Sequence, residues 1–195
     1  SQWSYDYYSW YNRDSLHTGA GDDEITLTGG SDFYSYHQYE YAQYASGVKS
    51  GDGDDTITFG GNKDYSWAQG GAGDDIIDAS NANYVWSLEG GSGNDIIYGA
   101  TNTSQVKGGD GDDTIKAIND SRDILVEGGS GNDNITVGSN ATIYGEAGND
   151  TITTQGGQNN IFGGAGDDSI TSGSGADVIE GGSGNDIFQG NGGND

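Results

Sequence analysis

The sequence has no cysteine, no proline and no methionine, and only 6 lysines and arginines among its 195 residues. Without cysteine there are no disulfides, thiolate metal sites or thiol nucleophiles, and His17 and His37 are the only imidazoles. Zinc sites and catalytic triads therefore have almost no raw material. The 31 acidic residues leave a net charge of −25. That charge excludes nucleic acid and anionic membrane as partners, because both are gripped through lysine and arginine. No uninterrupted apolar run approaches the roughly 18 residues of a membrane span, so membrane insertion is not expected, and no charged-then-apolar segment opens the sequence. At 31% hydrophobic residues, self-repulsion of this size argues against a globule built on one large core.

Glycine is what the chain has in abundance, 38 residues, and it is periodic. The pattern Gly-Gly-x-Gly-Asx-Asp-x-Ile-x occupies residues 70–78 (GGAGDDIID), 90–98 (GGSGNDIIY), 108–116 (GGDGDDTIK), 128–136 (GGSGNDNIT) and 163–171 (GGAGDDSIT). Looser copies begin at Thr18, Ser50, Gly145 and Gly181. The sixth-position aspartates are Asp23, Asp55, Asp75, Asp95, Asp113, Asp133, Asp150, Asp168 and Asp186, at intervals of 32, 20, 20, 18, 20, 17, 18 and 18. An interval near twice nine points to a degenerate nine-residue partner between copies. Its eighth position reads Ala68, Leu88, Val106, Val126, Ile143, Ile161 and Ile179, matching Ile25, Ile57, Ile77, Ile97, Ile115, Ile135, Ile152, Ile170 and Phe188 of the motif half. Its sixth position reads Ser66, Trp86, Ser104, Ile124, Ala141 and Asn159, and only then Asp177 and Asp195. Both halves thus carry one inward apolar residue, but aspartate is regular on one edge alone.

A short x-Ile-x strand followed by a six-residue Gly/Asx turn, twice per coil, predicts an all-β fold, a flattened parallel solenoid with about 18–20 residues per coil. Stacked parallel strands lie about 4.8 Å apart, so the sixth-position aspartates form a column at that spacing. Two carboxylates so placed repel by about 1 kcal/mol in water and about 3.5 kcal/mol at an effective dielectric near 20. Down a whole column this would exceed the stability of a small domain, about 5–15 kcal/mol, so a cation is expected between them. The oxygens available are all hard, carboxylates and turn carbonyls, which suits calcium. Eight gaps between nine motifs would take eight ions and bring the net charge of −25 to an ordinary −9. Open oxygen cages bind calcium at roughly 10⁻⁴–10⁻³ M, an extracellular concentration.

These nonapeptides resemble the repeats-in-toxin (RTX) calcium-binding family over residues 50–195, with an isolated copy at 18–26. The resemblance implies a right-handed parallel β-roll, and type I secretion without an N-terminal signal peptide. It also implies calcium held between turns by the sixth-position aspartates and by glycine carbonyls. Carried over to this sequence, the carbonyls belong to Gly71, Gly73, Gly91, Gly93, Gly109, Gly111, Gly129, Gly131, Gly164, Gly166, Gly182 and Gly184. Family members normally bind calcium along both edges. Here one continuous column is expected, with only the Asp177/Asp195 pair opposite, for eight to nine ions in all.

Residues 1–49 differ in composition, since nine of the 13 tyrosines precede residue 45. They are expected to form an aromatic N-terminal cap and insertion around the first isolated repeat, ahead of the β-roll at 50–195; a contact surface for glycan or another protein is the alternative. His17 and His37 have no metal-ligand spacing, and aspartates committed to calcium cannot serve as general acids, so no enzyme is expected. Nor is ice binding, because the third turn position carries no threonine. The absence of methionine suggests either a processed mature chain or a piece of a longer one, and the final GGND favours the second. Asp195 is the sixth residue of a repeat begun at Gly190, so an uncapped end with half-filled ion sites at Asp186 and Asp195 is expected. An aromatic segment like residues 3–10 is expected to cover it, either from a second copy head to tail or as the following segment of a longer polypeptide. The overall expectation is a secreted, calcium-folded segment of an extracellular filament, surface layer or adhesin. The alternative is the calcium-binding secretion module of a larger secreted enzyme or toxin.

Overall fold

Most eighth-position residues sit between less buried neighbours, and this alternation makes a short strand with one side chain turned inward. In a computed structural model, which describes residues 2–3, 15–27, 47–60, 64–118 and 123–195, these strands stack into two facing parallel sheets. One sheet holds ten strands: β1 (Gln2–Trp3), β3 (Glu24–Leu27), β5 (Thr56–Phe59), β7 (Ile76–Asp78), β9 (Ile96–Tyr98), β11 (Thr114–Ala117), β13 (Asn134–Ser139), β15 (Thr151–Gly156), β17 (Ser169–Ser174) and β19 (Ile187–Gly192). The other holds nine: β2 (Ser15–Ala20), β4 (Gly47–Asp52), β6 (Asp64–Ala72), β8 (Tyr84–Ser92), β10 (Asn102–Asp110), β12 (Ile124–Ser130), β14 (Ala141–Ala147), β16 (Asn160–Ala165) and β18 (Val178–Ser183). Successive strands alternate between the sheets, which makes an all-β parallel solenoid of about eight turns. No helix among the described residues is long and apolar enough to cross a membrane.

The register is the one the repeat predicts. Ile97 pairs with Ile115, Ile115 with Ile135 and Ile135 with Ile152 in one sheet, while Leu88, Val106, Val126 and Ile143 align in the other. These facing ranks are fully buried and form a core one side chain deep on each wall. Phe188 departs from the pattern, being 51% exposed. It lies on β19, the outermost strand of its sheet, as does the exposed Ile187, and the exposed Val178 lies on β18, the outermost strand of the other sheet.

The second departure is the length of the strands leading into the motif. β6, β8 and β10 run for nine residues, through the Gly-Gly pair itself, so that Gly109 pairs with Gly91 and Gly129. Gly109 has φ of 130°, and a Cβ there would collide with the Gly91 carbonyl. The tight turn is therefore only Gly-Asx-Asp rather than six residues. Coil length is also unequally distributed. Nine residues separate each inward residue of the even sheet from the next of the odd sheet, from Val48 to Ile57 through to Ile179 and Phe188. The return passage varies, with 8 residues from Ile135 to Ile143, 11 from Ile77 to Leu88 and 23 from Ile25 to Val48.

The aromatic cap and insertion expected within residues 1–49 falls largely outside the described residues. Of it, Gln2–Trp3 pairs in parallel with Glu24 and Ile25.

Candidate metal centre

The Gly-Asx-Asp turns stack so that nearly every backbone donor finds an acceptor one coil away. The fourth-position N–H donates to the third-position carbonyl of the next coil, as from Gly93 to Asp110 at 2.7 Å. The fifth-position N–H donates to the fifth-position side chain of the preceding coil, as from Asp112 to Asn94 Oδ1 at 2.8 Å. The sixth-position N–H donates in the opposite direction, to Oδ1 of the following aspartate: Asp55 to Asp75, Asp75 to Asp95, Asp95 to Asp113 and Asp113 to Asp133, each at 2.8 Å. The ladder continues through Asp150, Asp168 and Asp186 and begins at Asp23, whose N–H donates to Asp55. Small oxygen-bearing side chains are needed at both positions because the turn cannot form these bonds from its main chain alone.

This ladder uses one oxygen of each sixth-position aspartate. The other, Oδ2, is buried and has no hydrogen-bond partner in Asp55, Asp75, Asp95, Asp113, Asp133, Asp150 and Asp168. The first-position glycines make room for it. A Cβ on Gly70, Gly90, Gly108, Gly128, Gly145, Gly163 or Gly181 would strike Oδ2 of the aspartate five residues on. The same point on Gly70 lies 2.7 Å from the Gly90 carbonyl, and that on Gly108 lies 2.5 Å from the Gly128 carbonyl, so these cradles, like those at Gly128, Gly145 and Gly163, also receive a main-chain oxygen from the next coil. Reading the glycines only as positive-φ residues misses this role. The signal was the doubling of glycine at the motif's start, since the first of the pair does not need positive φ.

Burial dominates the electrostatics of the column. It pushes Asp75 and Asp113 up to about 7 and Asp95, Asp133 and Asp150 up to about 6; the N–H bond from the preceding coil opposes it and neighbouring carboxylates reinforce it. Asp55 and Asp168 are raised for the same leading reason. Buried carboxylates of one sign, each with an orphaned oxygen beside a carbonyl, fit a hard divalent cation. Among the described residues no three acidic or histidine side chains converge, so a cation here would be held by at most two carboxylates together with main-chain oxygens.

The ends and the glycines are placed differently. Asp186 is half-buried and Asp195 exposed, both on the last described coil. The carbonyls of the second- and fourth-position glycines Gly71, Gly73, Gly91, Gly93, Gly109, Gly111, Gly131, Gly164 and Gly166 lie against the corresponding glycine of the next coil; Gly129 pairs there with Glu146, and Gly182 and Gly184 belong to the last motif. It is the first-position carbonyl that the structure brings to Oδ2. On the opposite edge, the sixth position is apolar and buried at Ile124 and Ala141, an amide at Asn159 and a buried carboxylate at Asp177, whose Oδ2 is again orphaned. The ladder there runs from Ala141 N–H to Asn159, from Asn159 to Asp177 and from Asp177 to Asp195. Asn159 was passed over in the sequence because it is not an acid, yet it makes the same backbone bond.

No curated protein and no solved structure matches the chain. The family described as RTX calcium-binding nonapeptide repeat (4 copies) matches residues 12–35, 61–83, 89–117, 136–170 and 171–195. These stretches make up more than half of the chain and include seven of the nine motif-half aspartates, all but Asp55 and Asp133. With the parallel roll and its column of buried aspartates, they show that the chain belongs to the RTX calcium-binding nonapeptide-repeat family.

Proposed function

We propose that this chain is a calcium-folded structural segment of a secreted filament, surface layer or adhesin, in which ions between coils replace the large core the chain lacks. The observation that carries the reading is the column of orphaned Oδ2 atoms. An asparagine would complete the same backbone ladder with its Oδ1, as Asn159 does, and would bring no buried charge. Aspartate at each of these positions is therefore a cost to the fold unless a cation takes the second oxygen.

Sixth-position aspartates would hold each ion, with the first-position carbonyl of the next coil beside them, and calcium would supply the positive charge that lets the coils close. Eight ions in the gaps of the aspartate column and one at the Asp177/Asp195 pair, eight to nine in all, are expected. The external role rests on the affinity of such open cages, which suits millimolar calcium. Head-to-tail self-association is one candidate interaction, and glycan or matrix proteins are candidate partners for the tyrosine-rich segment.

With EDTA at low salt, circular dichroism should show coil, and calcium should restore β structure cooperatively with a midpoint from about 0.1 to 1 mM, magnesium substituting poorly. A chain fully folded without calcium at low ionic strength would overturn the reading. Light scattering at high protein concentration separates the two roles: growth with calcium supports the filament, whereas a persistent monomer supports a secretion module.

A further inference from the structure

We propose that Asn159 stands in for a calcium ion: its side-chain amide occupies the place that a cation takes one coil further on, and so sets where ion binding begins on the second edge. The proposal rests on the reading of the orphaned aspartate oxygens as cation sites.

The geometry of Asn159 carries it. The side chain is buried, and its Oδ1 accepts the Ala141 N–H at 3.0 Å, which fixes the amide's orientation, because the flipped amide would set donor against donor. Nδ2 then faces only oxygens: Thr154 Oγ1 at 3.2 Å, the Gly156 carbonyl at 3.0 Å and Asp177 Oδ1 at 2.9 Å. Two of these belong to its own coil and the third to the next. A positively polarised nitrogen thus bridges two coils through a hydroxyl, a carbonyl and a carboxylate, the oxygen types that bind calcium.

One coil on, the same positions are filled by Ser172, Ser174 and Asp177, aligned by the pairing of Thr153 with Thr171 and Gly156 with Ser174. Asparagine has become aspartate, and the bridging donor has gone. Asp177 Oδ2 and Ser172 Oγ are both fully buried and both lack a partner. The two coils differ at the centre by one nitrogen for one oxygen. Where the nitrogen is present every oxygen around it is satisfied; where it is absent, the oxygens need a cation.

Upstream, Ala141 and Ile124 fill the sixth position with apolar atoms and require neither. The edge therefore passes from apolar to amide to carboxylate, and Asn159 is the boundary.

The test is the number of calcium ions bound per full-length chain, measured by equilibrium dialysis together with the slope of unfolding free energy against the logarithm of calcium concentration. N159D should bind one more ion than the parent and steepen the slope by one ion. D177N should bind one fewer and flatten it, because the new amide bridges Ser172 as Asn159 bridges Thr154. An unchanged count and slope in N159D overturns the proposal. If N159D does not fold at any calcium concentration, D177N decides, and an unchanged count there overturns it equally. A parent chain that binds no calcium at all overturns the underlying calcium reading and this proposal with it, whereas a calcium-binding parent with indifferent variants overturns this proposal alone.

Discussion

Glu146 shows how strictly the turn selects its residues. Among the described residues only Asn140 and Glu146 combine a side chain with positive φ, at 56° and 78°. Asparagine tolerates the left-handed region through its short polar side chain, but a glutamate there is strained by about 1–2 kcal/mol. Glu146 fills the second glycine position of its motif, paired between Gly129 and Gly164, and its charge helps to raise the buried Asp133 carboxyl. Glu146→Gly relieves both effects, against the backbone entropy that a new glycine costs on folding. We expect a net gain of about 0.5–1 kcal/mol in denaturant unfolding at saturating calcium. No gain would mean that the φ at this position carries no strain.

At the level of elements, the two edges of the roll should respond unequally. Asp113→Ala removes the acceptor of the Asp95 N–H and one buried Oδ2, and should cost about 1–3 kcal/mol at fixed calcium. Ser104→Ala, at the matching position of the other edge, loses only a half-buried hydroxyl beside Tyr84 OH at 3.0 Å and should change stability by less than about 0.5 kcal/mol. Equal losses in calcium titrations of the two variants would mean that the edges are equivalent. The parallel pairing of Ile115 with Ile135 and of Val106 with Val126 was legible in the sequence, because each half-coil carries one inward apolar residue at a fixed place in its motif, which sets the register. What was not legible depends on neighbouring coils at once. The cradle at Gly108 exists only because Asp113 turns Oδ2 inward and Gly128 follows, and Asn159 joins its edge through bonds to Ala141 and Asp177. Phe188 reads as a core residue by period and is exposed by position.

Over the whole molecule, the buried carboxyls couple the roll to pH. Their folded-state values of about 6 to 7 at Asp75, Asp95, Asp113, Asp133 and Asp150 lie above the ordinary 3.8, so the calcium-free folded chain binds protons that the unfolded chain releases. That contribution is complete below about pH 4 and is lost as pH rises through 6 to 7. Without calcium, β structure by circular dichroism should therefore be retained best at acidic pH and give way to coil between pH 5 and pH 8, while calcium affinity should rise over the same interval as protons leave the sites. Calcium-free β structure that increases with pH would show that these carboxyls are not buried in the folded chain. The fixed nine-residue passage on the aspartate edge has a different kind of consequence. That edge behaves as a ruler whose divisions cannot be stretched, while the return edge already admits passages of 8, 11 and 23 residues beside an undisturbed register. A foreign peptide spliced between Ala117 and Ile124, or a second one in the next coil, would thus be displayed at multiples of about 4.8 Å along the rod without moving an ion site. Change in such a protein accumulates on one flank, and growth proceeds by whole coils.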